Sequence, residues 1–184
     1  MFYLSILAGV AIGLGCWIYC SVSDPILGAL LFSCGLLAIR IFKYNLFTGK
    51  IQYMITKEYR WFDYLEILAS NVFGIMLMAL LARGTPIYDA AIKIGVLKAS
   101  QPIWTAFIKG IGCGALMTIA TKKETPLFVT SLCVLAFIAA GFNHCIADAF
   151  YFFAAGVSKI NWLMIVLGNI VGGLLIALYR GKAE

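Results

Sequence analysis

Gly141-Phe-Asn-His-Cys-Ile-Ala-Asp148 interrupts an apolar segment that otherwise runs over residues 126–155. Lys43-Tyr-Asn-Leu-Phe-Thr-Gly-Lys50 does the same after an apolar run that starts at Pro25, and the Ile51-Gln-Tyr-Met-Ile55 that follows is too short to cross a bilayer alone. Polar groups at that depth cost several kcal/mol when they face lipid. The cheaper arrangement is a helix that breaks at each stretch and turns its polar groups onto protein or a watery cavity.

The composition puts these stretches in a membrane. Of 184 residues, 63% are apolar and 12% charged, and the mean hydropathy is +0.99. An average soluble domain is about 45–50% apolar and about 25% charged. A domain of this size exposes too much surface to hide that surplus, which excludes a soluble enzyme, a disordered tail and a nucleic-acid module. The net charge of +6 comes from singly scattered basic residues, as expected of loop cations that orient a membrane protein. The six cysteines all lie in apolar stretches without a CxxC pair and read as small buried hydrophobes, not disulfides or metal ligands. Residues 1–22 lack a basic n-region and are followed by another apolar run, so they read as a retained first helix.

The expected fold is an all-α membrane protein, one transmembrane domain over 1–184 with six spans: 2–22, 25–44, 64–82, 102–121, 126–155 and 161–179. The second and fifth are broken, and 83–98 is the longest connection. Proline opens the second, fourth and fifth spans, where its missing N–H costs nothing. With the N-terminus inside, Lys50, Lys57, Arg60, Lys122, Lys123, Arg180 and Lys182 face the cytoplasm. Arg83, Lys93, Lys98 and Lys159 face out. The excess favours both termini in the cytoplasm, with the protein in the cell membrane.

The halves repeat each other. Tyr44-Asn45 and Phe142-Asn143, Asn71 and Asn169, and Leu37-Ala38 and Leu135-Ala136 are each 98 residues apart. Ile12-Gly-Leu-Gly15 answers Ile111-Gly-Cys-Gly114 at 99. Three spans per copy is an odd number, so the copy over 99–184 enters the membrane opposite to the copy over 1–86. Matched interruptions in inverted halves point to a binding site near the midplane, and the loops at Thr48 and His144 are expected to meet there.

Four motifs, in order and at matching spacing, resemble the formate/nitrite transporter family. Asn45-Leu-Phe-Thr-Gly49 is similar to its Glu-Leu-Phe-Thr-Gly, and Gly141-Phe-Asn-His-Cys-Ile-Ala147 to its Gly-Phe-Glu-His-Ser-Ile-Ala. Leu167-Gly-Asn-Ile-Val-Gly-Gly173 is similar to its Leu-Gly-Asn-Ile-Gly-Gly, and Lys98 stands 16 residues before Gly114, like the lysine ahead of the family's fourth helix. The resemblance implies a homopentamer of aquaporin-like six-helix protomers, each with a pore for small monovalent anions or their acids, and no cofactor. It implies a central polar site of His144, Thr48 and Asn169, with Lys98 raising the anion potential near the entrance. Apolar constrictions are implied at Phe32, Leu36 and Phe137 on the outer side and at Leu46 and Phe47 on the inner side. Asn45 and Asn143 stand where the family has glutamates, Lys43 where it has a small residue, and Gly114 where it has asparagine. Lys43, Asn45 and Asn143 are therefore variant pore residues.

His144 is the sole histidine, and an ionisable group at membrane depth is a functional candidate by default. Desolvating a bare anion costs far more than passing its neutral acid. The expected mechanism has an anion accept a proton or a strong hydrogen bond around His144, then cross the apolar ring as the acid or nearly so. The Thr48 hydroxyl and the Asn169 amide can both hydrogen-bond an oxyanion. Lys98 also reads as an ordinary interfacial lysine, while Arg40, Lys43, Lys109, Glu66 and Asp148 read as span-end groups that snorkel or pair. The glycine-rich runs allow close helix approach. The competing class is a pore for water or a small neutral solute. An intramembrane enzyme using His144, Cys145 and Asp148 is disfavoured, because one histidine without a second cluster makes a poor metal site.

Overall fold

The computed structural model describes residues 1–157 and 159–180; Lys182 of the orientation count lies outside them. Every element among the described residues is helical. In order they are α1 (Phe2–Ser21), α2 (Pro25–Phe42), α3 (Phe47–Lys50) leading into a 3-10 turn (Ile51–Met54), α4 (Trp61–Leu81), α5 (Pro86–Ala99), α6 (Ile103–Thr121), α7 (Leu127–Ala139), α8 (Cys145–Ala155) and α9 (Lys159–Arg180). Helices α1, α2, α4 and α6, and α9 over Ile160–Tyr179, are long and apolar enough to cross a membrane. Helices α7 and α8 are apolar but have 13 and 11 residues, each too short to span by itself.

Helices α2 and α7 stop on the same turn. Lys43 follows α2 in the left-handed region at φ 57°, and Gly141 follows α7 at φ 65°. Tyr44 N–H then reaches back to Ile39 O, and Phe142 N–H to Phe137 O, each at 2.9 Å. This is the six-to-one bond of a Schellman ending, whose left-handed residue is usually glycine. Lys43 occupies it at a steric cost.

Close backbone packing joins α1 to α4 and α6 to α9. A Cβ on Gly9 would fall against Asn71 O, and one on Gly114 against Asn169 O. On the facing helices, a Cβ on Gly74 would meet Ile6 O and one on Gly172 would meet Ile111 O. Gly9 and Gly114, and likewise Ile6 and Ile111, make like contacts and lie 105 residues apart, against the 99 between the two Ile-Gly-x-Gly motifs. The offset exceeds 98 by seven residues, close to two helical turns, so the glycine face stays in register. A one-residue slip would rotate that face by about 100°.

The segment over 83–98, expected to be a connection, is mostly helix α5. Its charges masked a face of small residues: Ala91 and Gly95 are buried, and a Cβ on Gly95 would strike Tyr151 O of α8. Pro86 opens the helix, and Lys98 sits in its last turn.

Candidate functional site

Two buried asparagines hold the backbone where α2 and α7 end. Asn71 on α4 donates from Nδ2 to Asn45 O at 2.9 Å and to Ser5 O at 2.7 Å, while its Oδ1 accepts Phe47 N–H at 2.8 Å. Asn169 on α9 donates to Asn143 O and Gly110 O and accepts Cys145 N–H, all at 2.9 Å. The side-chain amides thus satisfy main-chain groups that the helix ends leave open. Both amide hydrogens of Asn169 are engaged with carbonyls, so it has no free donor for a passing oxyanion. Asn71 has the same arrangement, and the sequence marked it only through its spacing.

The stapled turns bring Thr48, on α3, against His144, the residue that caps α8. Thr48 Oγ1 lies 3.0 Å from His144 Nε2, and both side chains are buried. Ala147 N–H donates to His144 Nδ1 at 3.1 Å, capping the helix. An Nδ1 that accepts this bond carries no proton, so the imidazole is neutral, with its hydrogen on Nε2 directed at the Thr48 hydroxyl. Phe137 stacks on the imidazole, with centroids 5.8 Å apart, and Phe32 meets Phe137 edge-on at 6.1 Å. Leu36 is buried one turn along α2 from Phe32.

A cavity of about 240 Å³ lies on one side of this column, walled by Phe32, Phe137, Lys98, Gln101, Lys109 and Asp148, among others. Lys98 Nζ forms an ion pair with Asp148 Oδ1 at 2.8 Å and donates to Asn143 Oδ1 at 2.8 Å. The Asn143 amide in turn donates to Gln101 Oε1 at 3.2 Å. Asp148 is 2% exposed; the sequence reading listed it only among span-end groups that snorkel or pair, and the structure pairs it with Lys98 at this cavity. The available signal was its place one turn after His144 on the interrupted segment.

A second cavity, of about 430 Å³, is lined by Leu46 with Arg40, Lys43, Lys50 and Lys123, and no carboxylate is in its lining. Phe47, expected beside Leu46 in a constriction, is buried and lines an apolar groove with Tyr64, Val166 and Ile170. The reason is the helical turn that begins at Phe47, which sends adjacent side chains in different directions. The main chain of Asn45 is held by Asn71 and by its own N–H to Leu4 O, at 3.3 Å. No cluster of His, Cys, Asp and Glu suited to a metal ion occurs among the described residues.

No curated protein matches the chain in sequence. Solved structures share its fold. One, a pentameric formate channel with formate bound, is 23% identical with a TM-score of 0.81, over 99% of this chain and 95% of that one. Another, an FNT family ion channel, is 24% identical with a TM-score of 0.84, over 100% of this chain and 89% of that one. The profile of the formate/nitrite transporter family matches residues 1–180, and the chain, a multi-pass membrane protein, belongs to that family.

Proposed function

We propose that the chain is a channel for small monovalent anions and their conjugate acids, of the formate, nitrite and hydrosulfide class, assembled as a homopentamer with one pore per protomer. The observation that carries this is the Thr48–His144 contact, roofed by Phe137 and Phe32 and flanked by two cavities with cations in their walls. The similar pentameric formate channel supports both the assembly and the substrate class. Helices α7 and α8 cross the membrane together as one broken span, and α2 with α3 forms the other. That makes six spans, with 1–86 and 99–184 as copies of opposite topology. The matched contacts of Asn71 and Asn169 and the shared turn at Lys43 and Gly141 support it. The loop-charge excess supports cytoplasmic termini in the cell membrane.

In this mechanism the dry Phe32–Phe137 contact opposes a bare anion and admits its acid. The imidazole works as a neutral donor. Nε2–H turns from Thr48 to the anion, and a proton drawn from the bulk solution through the adjoining cavity neutralises it as the acid. Protonating His144 at Nδ1 would break its bond to Ala147 N–H. The N-terminus of α8 adds a fixed positive dipole beside the anion. Thr48 shares the anion with His144. Asn169 is a positioning residue that holds Cys145 and Asn143, and Asn143 bridges Lys98 and Gln101. Uptake of formate by proteoliposomes at acidic and alkaline pH tests this, in competition with nitrite, hydrosulfide, lactate and chloride. Wild type should take up formate faster at acidic pH, and His144→Phe should abolish that uptake. Flux indifferent to pH and to competing anions would replace this proposal with a neutral-solute pore.

A further inference from the structure

The cation expected to attract anions at the Lys98-side cavity is already occupied. Lys98 Nζ is held at 2.8 Å by a carboxylate oxygen of Asp148 and at 2.8 Å by Asn143 Oδ1, and its side chain is 17% exposed. Its charge is cancelled at contact distance, and two of its three hydrogens are directed at acceptors. A second ammonium, from Lys109 on α6, lines the same cavity.

Lys109 differs from Lys98 in three respects. It forms no ion pair among the described residues, whereas Lys98 is paired with Asp148. It is half-buried in the second turn of α6, and its Nζ lies over the turn after α7: a Cβ built on Gly141 would come within 3.8 Å of it. Its own carbonyl accepts Asn143 N–H at 3.2 Å, which ties its backbone to the segment that carries His144. Asp148 lies within electrostatic reach of Lys109, but only Lys98 is at ion-pair distance from it. Two ammonium groups and one carboxylate leave the cavity wall with a single positive charge in excess. That excess sits on Lys109, whose Nζ has no hydrogen-bond partner among the described residues.

We propose that Lys109, rather than Lys98, is the residue that takes up the permeating anion in this cavity and delivers it to the Phe137–His144 column. Lys98 and Asp148 form a neutral strut that fixes Asn143. A charge-lined cleft with low-dielectric walls raises the local concentration of its counter-ion by about tenfold or more. Loss of Lys109 therefore acts on capture, leaving the passage step near its wild-type rate. The inference rests on the anion-channel proposal above, and the tests below separate the two.

Formate uptake is measured in proteoliposomes of wild type, Lys109→Gln and Lys109→Arg at low ionic strength. Lys109→Gln should raise the half-saturating formate concentration about five- to tenfold, with the maximal rate changed less than twofold. Lys109→Arg should stay within about twofold of wild type, and added inert salt should narrow the gap between Gln and wild type. An unchanged half-saturation in Lys109→Gln, with wild type conducting formate, overturns the role of Lys109 and leaves the channel proposal standing. A wild type that takes up no formate ends the channel proposal. Lys109 is then decided by a measurement that needs no flux. Lysines of the detergent-solubilised protein are ¹³C-methylated and titrated with sodium formate against sodium gluconate at constant ionic strength. The signal missing from Lys109→Arg should shift saturably while that of Lys98 stays in place; a shift of Lys98 alone, or of neither, refutes the assignment.

Discussion

Replacing Asn169 with leucine keeps the branching of the side chain at Cγ and removes three hydrogen bonds at once. Cys145 N–H loses its acceptor, and Asn143 O and Gly110 O lose their donor. Asn169 is fully buried, so the freed groups have no route to bulk water. A net hydrogen bond is worth about 0.5–1.5 kcal/mol, and side-chain bonds between membrane helices average about 0.6 kcal/mol. Three such bonds amount to about 2–4 kcal/mol. Asn71→Leu removes the matching three, to Phe47 N–H, Asn45 O and Ser5 O, and should cost the same within about 1 kcal/mol. Equilibrium unfolding in mixed micelles, titrated with SDS, reads both values. Flux then separates them: Asn169→Leu loosens the segment bearing His144 and should lose formate uptake in whatever fraction stays folded. If Asn169→Leu costs less than about 0.5 kcal/mol, the amide is not holding the turn. If it is stable and transport fails, Asn169 instead contacts the solute, as the sequence reading had it.

Other substitutions test separate parts of the structure. Lys43→Gly relieves a lysine in the left-handed region and should stabilise the protein by about 0.5–1 kcal/mol in the same unfolding titration. Gly172→Ala drives a Cβ into Ile111 O and should cost more than about 2 kcal/mol or prevent recovery of folded protein on size exclusion. The guanidinium of Arg40 donates to Thr130 Oγ1 and to the carbonyls of Lys122, Lys123 and Thr125, tying α2 to the α6–α7 connection. Arg40→Lys should lower stability by about 2–3 kcal/mol, because a single ammonium cannot span four acceptors. Asp148→Asn should leave Lys98 with uncompensated charge and lower the half-saturating formate concentration, read by uptake kinetics at low salt.

Quantities that add along the chain were legible in the sequence. An apolar surplus and a mean hydropathy of +0.99 are sums over residues, and they sufficed for a helical membrane protein with long apolar segments where α1, α2, α4, α6 and α9 lie. The family was legible too, because motifs such as Asn45–Gly49 and Gly141–Ala147 are short and local. The two apolar runs had to stop where polar residues enter them, and α2 and α7 do stop there. The meeting of the loops at Thr48 and His144 was expected from the matched polar interruptions, and the two side chains lie 3.0 Å apart.

Pairings between distant residues were decided only in three dimensions. Lys98 and Asp148 are 50 positions apart, and whether an ammonium stands free or paired depends on where α5 packs on α8. Helix α5 itself was read as a connection, because its charges outweigh in sequence the small face that buries it. Asn169 looked like a donor for the solute because its type and motif allow that; the helix ends beside it claim both its hydrogens. Phe47 and Leu46 are neighbours in sequence and line different surfaces, since one helical turn separates directions that a linear motif cannot. Sequence fixes what each side chain can offer; which partner it meets follows from the packing of helices whose contacts are long-range.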